Sequence, residues 1–350
     1  MNDLSQLFGG FITAPLAGYK ALPESLDRMI NQTCLSLLDS EILIEDDFSQ
    51  RLPLSVAKVK QPLPQFEQTF VIDELTKAIK ETGFGPHFHQ IIGLFGSIML
   101  NLTATEAQQT QVDAWLEKDI FGHFLMTDAG GPSLANWSTE LSVSPDETDM
   151  YHLKVNKKWG IEAHNLGFVM LVVKQSGKPY PITLMLTPEQ SKELKQDKVG
   201  SAYLDGALQL GNVVGEVKVS PDQILKKGGM ASVNRFLTLV RPRFVKALMH
   251  HLLWLDKENR LDMDAELKTN IDFILGFADH FLAQPDFSIH SVDQVLALKF
   301  ASNELLANLV ASNKVKSFAD QRDLLGFTKM EGSSYRCFFE IYAKQKRARR

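Results

Sequence analysis

The sequence predicts an α+β protein in three parts: an N-terminal helical domain over residues 1–120, a small β-domain over 121–228 and a C-terminal helical bundle over 229–350. Three observations carry this. Apolar residues recur at three- and four-residue steps up to about residue 116 and again after Ala231. Between them the pattern changes to short alternating runs rich in Val, Thr and Leu, divided by Pro, Gly, Asp and Ser. At 350 residues the chain is also long for one compact core, so two or three packed units are expected.

The elements follow in order. Leu26, Met29, Ile30, Cys34, Leu37 and Leu38 have helical spacing, and Pro53, Pro62 and Pro64 mark a loop over 46–68. The helical pattern resumes from Val71 through Leu75, Ala78 and Ile79 and breaks at Gly83-Phe84-Gly85-Pro86. Residues 87–102 are mostly apolar, a length that suits a buried helix better than a strand. Thr103 and Glu106 have the spacing of a capping box, opening a helix with Val112, Trp115 and Leu116 on one side.

Strands are expected at Phe121–Met126, Glu140–Val143, Met150–Val155, Gly167–Lys174, Ile182–Leu186, Leu208–Gly211 and Val213–Val219, with Phe168–Val173 the clearest. Ser220-Pro221-Asp222 ends this region and Lys226–Gly229 forms a turn. Beyond it, Phe236, Leu239, Val240, Phe244, Ala247, Leu248, Leu252 and Leu255 trace one helical face. Two more helices are expected at about 264–283, with Leu267, Ile271 and Ile274, and 291–316, with Val295, Leu298, Ala301, Leu305, Leu306 and Leu309.

Composition narrows the function classes. A hydrophobic fraction of 44% and a charged fraction of 23% are those of an ordinary globular protein. The net charge of −5 argues against a nucleic-acid partner. The basic run from Lys344 to Arg350 reads as a solvated helix end. Two distant cysteines, Cys34 and Cys337, make neither a disulfide framework nor a zinc pattern, so a reducing, cytoplasmic setting is expected. There is no secretory signal pattern and no run of eighteen apolar residues, so no membrane span is expected. His87/His89 and His250/His251 do not share helical faces, and no metal site is expected.

Two stretches carry candidate chemistry. Glu331-Gly332-Ser333-Ser334 reads as a carboxylate on a tight turn, just before a helix capped by Ser333 or Ser334. Thr127-Asp128-Ala129-Gly130-Gly131-Pro132-Ser133 reads as a cofactor-facing loop.

Five segments, in this order, resemble the acyl-CoA dehydrogenase family over roughly residues 70–345. They are the Thr127–Ser133 loop, Lys157-Lys158-Trp159-Gly160-Ile161, Glu216–Pro221 continuing to Gly229, Arg241-Pro242, and Arg322-Asp323 followed nine residues after Arg322 by Glu331-Gly332-Ser333-Ser334. The resemblance implies an acyl-CoA dehydrogenase-like fold and FAD-dependent α,β-dehydrogenation of an acyl thioester carried on CoA or an acyl carrier protein. It assigns Glu331 as the base for the α-proton. It assigns Thr127, Gly130, Ser133 and Trp159 to the flavin, and Arg241 and Gly332 to the acyl side. A homo-oligomer or a hetero-partner is implied as well.

The sequence also departs from the family pattern. Leu134 follows Ser133 where the family has Asp, and Glu162 follows Trp159-Gly160-Ile161 where a flavin-binding Thr is expected nearby. The FAD-pyrophosphate segment has no match: Arg260-Leu261-Asp262-Met263-Asp264 stands about there, and its aspartates have the wrong sign for a phosphate. The glycine-rich segment that a neighbouring subunit contributes is absent. These departures keep open a flavin-free alternative, either a dehydratase of β-hydroxyacyl thioesters or a non-catalytic partner subunit.

Overall fold

A computed structural model describes residues 76–341 except 78, 84–99, 101–102, 117, 119, 121, 132, 145–148, 201–209, 226–227, 284–287, 335 and 339. The expected helices before residue 76, the 46–68 loop, Cys34, His87, His89 and the basic run from Lys344 lie outside the described residues.

Helix α1 spans Glu106–Leu116. Its capping box is Thr105 with Gln108: the Gln108 backbone N–H donates to Thr105 Oγ1 (3.3 Å) and the Thr105 N–H to Gln108 Oε1 (2.8 Å). This differs from the Thr103–Glu106 pairing that the spacing suggests. The segment Thr103-Ala-Thr105-Glu106-Ala-Gln108 holds two overlapping capping patterns, and Thr103 is still helical, so it cannot cap the next helix.

Among the described residues seven strands form one sheet: β1 Gly122–Leu125, β2 Glu140–Val143, β3 Tyr151–Ile161, β4 Phe168–Gln175, β5 Pro181–Leu186, β6 Lys195–Val199 and β7 Leu210–Val219. A short helix, α2 (Pro188–Glu193), and strand β6 are additions to the sequence reading, because the charged run Lys192–Lys198 gives no apolar alternation. Strand β4 is the hub. One edge pairs antiparallel with β5; the other pairs parallel with β1 at residues 168–171 and then with β2 at residues 174–175. The chain between β1 and β2 therefore leaves and rejoins a single strand edge.

Six consecutive apolar residues make β4 buried on both faces. Phe168, Met170 and Val172 face a core shared with the helices, while Val169, Leu171 and Val173 face a second core with Leu141, Leu153, Leu184 and Val213. Trp115 of α1 stacks on Phe168 at 5.2 Å.

The helical bundle contains α3 (Met230–Lys257), α4 (Ala265–Ala283), α5 (Ile289–Ala311) and α6 (Phe318–Phe327). Helix α3 packs on both α4 and α5, and α6 packs on α5. At 28 residues α3 is about 42 Å long. Its buried residues go round the helix and include Arg241, Pro242, Arg243, His250 and His251. Helix α5 stops at Ala311 rather than near 316: Asn313 takes φ +55°, and Val315 then bridges to Leu261.

Candidate active site

The first half of the site is the excursion between β1 and β2. Asp128 is 5% exposed and organises it. Its Oδ1 accepts from the backbone N–H groups of Gly130 (2.8 Å) and Ser138 (2.9 Å), and Oδ2 accepts from Thr139 N–H (3.0 Å). The buried ammonium of Lys157 lies 3.6 Å from Oδ2 and donates to the Met126 carbonyl at 3.0 Å. Burial works to raise the Asp128 carboxyl. The hydrogen bonds at Thr139, Ser138 and Gly130, with the Lys157 charge, outweigh it and hold the group down at about 2. Burial pushes Lys157 down to about 8 against the opposing pull of Asp128.

This scaffold leaves Thr127 and Ser133 exposed. Gly130 is needed where it stands, since a Cβ there would lie 1.8 Å from the Asn136 carbonyl oxygen. The Thr127 carbonyl accepts from Lys158 N–H at 3.1 Å, which seats the loop beside a bulge in β3. At this bulge Lys158 and Trp159 together oppose Asn212 of β7. Trp159 takes φ +56°, donates its backbone N–H to Asn212 Oδ1 (3.2 Å) and leaves its side chain 39% exposed. Three of the predicted cofactor residues, Thr127, Gly130 and Trp159, are thus brought to one edge, with Ser133 in the same loop.

The second half is the turn after α6. Glu331 (φ +56°) and Gly332 (φ +119°) both lie at positive φ. Ser333 caps the final helix, its Oγ accepting from Arg336 N–H at 3.4 Å. Arg241, 8% exposed, donates from Nε to the Glu331 carbonyl at 2.8 Å, so it holds the main chain of the turn. Burial pushes the Glu331 carboxyl above the usual carboxylate range, with Arg241 and then Lys299 opposing the rise. Glu331 nevertheless keeps part of its surface open. A desolvated carboxyl with a raised pKa is suited to accepting a proton near neutral pH.

Helix α3 joins the two halves. Phe236 meets Phe124 of β1 edge-on at 5.2 Å, and Arg241 follows five residues, or about 7.5 Å, along the same helix.

Sequence reasoning missed two residues beside the turn. Lys299 and Asn303 of α5 are both 0% exposed, and Asn303 Nδ2 donates to the Gly332 carbonyl at 3.0 Å. Their place on the helix is legible, since Lys299 stands four residues after Val295 and seven before Leu306 on its apolar side, but their partners at the turn are not.

The residues fit a flavin unequally. An exposed indole beside exposed hydroxyls on a braced backbone suits the flat ring system. The expected phosphate region does not suit a pyrophosphate. Arg260 donates from Nε (2.9 Å) and Nη2 to the Asp320 carboxylate and lies 5.1 Å over the Trp254 ring. Lys314 and Lys316 pair with Asp264 and Asp262. The cations of this segment are occupied within the chain.

No protein-family model and no curated protein sequence matches this chain. Solved structures match in fold. A glutaryl-coenzyme A dehydrogenase in complex with glutaryl-CoA matches with a TM-score of 0.63 and 14% identity, over 100% of this chain and 97% of that one. A glutaryl-CoA dehydrogenase from Mycobacterium smegmatis in complex with FADH2 matches with a TM-score of 0.64 and 13% identity, over 94% and 97%. The prolyl acyl carrier protein oxidase AnaB matches with a TM-score of 0.62 and 12% identity, over 93% and 99%. The chain has an acyl-CoA dehydrogenase-like α+β fold.

Proposed function

We propose that this protein is an FAD-dependent dehydrogenase of acyl thioesters, with Glu331 as the base that takes the α-proton. The observation that carries the reading is the Glu331 carboxyl, desolvated and raised above the usual carboxylate range, on a turn held by Arg241. The fold relatives support the reaction class, since they include a dehydrogenase in complex with glutaryl-CoA, one in complex with FADH2 and an acyl carrier protein oxidase.

A thioester carbonyl acidifies its α C–H, and a carboxylate with a raised pKa accepts that proton near neutral pH. Thr127, Gly130, Ser133 and Trp159 would hold the isoalloxazine ring, and Gly332, with Arg241 holding the turn, would shape the acyl side. When bound, FAD supplies the acceptor for the β-hydride, leaving an α,β-double bond in the acyl chain. The acyl carrier would be CoA or an acyl carrier protein, and the setting cytoplasmic, with a homo-oligomer or hetero-partner completing the assembly. Among the described residues no helix is long and apolar enough to cross a membrane.

The test is the visible spectrum of the purified protein with and without added FAD, followed by bleaching with acyl thioesters. Glu331→Gln is expected to retain flavin and to slow bleaching by at least about 100-fold, the usual contribution of a general base. A colourless protein that takes up no FAD would sink the dehydrogenase reading. One observation favours the flavin-free alternative: the engagement of Arg260 by Asp320. Under it, a dehydratase converts a β-hydroxyacyl thioester without a flavin and loses that activity in Glu331→Gln. A partner subunit is indifferent to the same substitution.

A further inference from the structure

The turn bearing Glu331 is held from two helices at once. From α3, Arg241 Nε binds the Glu331 carbonyl at 2.8 Å; from α5, Asn303 Nδ2 binds the Gly332 carbonyl at 3.0 Å. An amide can face such a carbonyl with either end, and only the NH2 end bonds it. Lys299 decides which. Its Nζ donates to Asn303 Oδ1 and to the Phe327 carbonyl (3.3 Å), so the oxygen of Asn303 is taken and its nitrogen is turned to Gly332. Lys299 is 0% exposed and lies 5.1 Å over the Phe244 ring, one helical turn from Arg241.

We propose that Lys299 is a positioning residue for Glu331: through Asn303 it fixes the backbone of the turn, and its charge acts on the Glu331 carboxyl. The charged and titratable groups facing Lys299 are Cys337 of the last helix, Glu331 of the turn and Arg241 of α3. Those facing Glu331 are Arg241 and Lys299. Burial pushes the Lys299 amine down to about 7, opposed by Cys337 and Glu331. As pH rises through neutrality the amine loses its charge and Glu331 loses a counter-charge. Below that point the ammonium favours the carboxylate form.

The inference rests on the dehydrogenase reading only for its catalytic consequence, so the experiment separates the two. In the full-length chain, the Glu331 carboxyl is followed by 13C NMR against pH, assigned with Glu331→Gln. The wild-type signal is expected to move in two steps, its own and one near pH 7 that tracks Lys299. A single step would overturn the proposal, and this readout needs no variant to fold. In Lys299→Met, of similar length and without charge, the second step is lost and the Glu331 midpoint moves up; in Lys299→Arg the midpoint returns towards wild type. An unchanged midpoint in a folded Lys299→Met protein also overturns the proposal. In parallel, α-proton exchange of hexanoyl-CoA in D2O is measured with FAD present. A kcat–pH profile that shifts with the Glu331 midpoint at unchanged KM supports the positioning role. If wild type exchanges no α-proton, the dehydrogenase reading fails while the NMR titration still decides Lys299.

Discussion

At Gly332 an added Cβ would stand 3.0 Å from Cys337 Sγ and 3.3 Å from Arg241 Nη2, on a backbone with φ +119°. Gly332→Ala therefore strains the backbone and presses on two neighbours of the turn. It is expected to cost about 1–3 kcal/mol in thermal or urea unfolding and, if the protein is the proposed dehydrogenase, to lower thioester turnover with flavin content unchanged. A stability indistinguishable from wild type would contradict the close approach. The turn is legible in the sequence because Glu-Gly-Ser-Ser combines a glycine, a carboxylate and a cap in four residues. Lys299 and Asn303 are not legible in that way. Helical periodicity registers which positions are apolar, and a lone lysine on an apolar face reads as a snorkelling side chain until the fold shows where its amine ends.

Helix α3 is readable as an amphipathic stripe, but its burial on all sides depends on α4, α5 and the sheet reaching it together. That burial has a consequence at the element scale. His250 and His251 are 5% and 6% exposed, and burial pushes each down to about 4 from 6.5. For His250 the neighbouring charges of Lys80 and Lys246 add to the effect and Asp279 opposes it. For His251, Asp320 opposes and Arg260 adds. Because the folded pKa is depressed, the unfolded chain takes up protons first as pH falls. Stability is fully present above about pH 6.5 and is lost towards pH 4, by up to about 3 kcal/mol per histidine. Both ring nitrogens of His250 lack hydrogen-bond partners among the described residues. His250→Leu is accordingly expected to flatten the fall of the urea midpoint between pH 6.5 and 4. An unchanged slope would show that His250 is not the titrating group.

At the scale of the molecule, the order of helices, sheet and helices is legible because a switch in hydrophobic period needs no tertiary information. What the sheet does with its strands is not. The parallel seating of β1 and β2 on one edge of β4, with the Thr127–Ser133 excursion between them, arises from pairings that no local pattern encodes. The excursion depends on the buried Asp128–Lys157 pair. Asp128→Ala removes three backbone hydrogen bonds and strands a buried ammonium, with an expected loss of about 3–5 kcal/mol in urea unfolding. If the loop holds a flavin, the same variant loses added FAD on gel filtration, whereas Glu331→Gln does not. The double variant Asp128→Ala/Lys157→Met is expected to regain part of the stability and none of the flavin.

The left-handed backbone at Glu331 bears on the history of the chain. A non-glycine residue there costs about 1 kcal/mol, and confining a carboxyl away from water adds to the burden. Glycine or asparagine would relieve both in a single replacement. Mutational drift constrained only by foldability would therefore erode this glutamate. A left-handed, desolvated glutamate thus marks the turn as a place where ease of folding alone does not choose the residue.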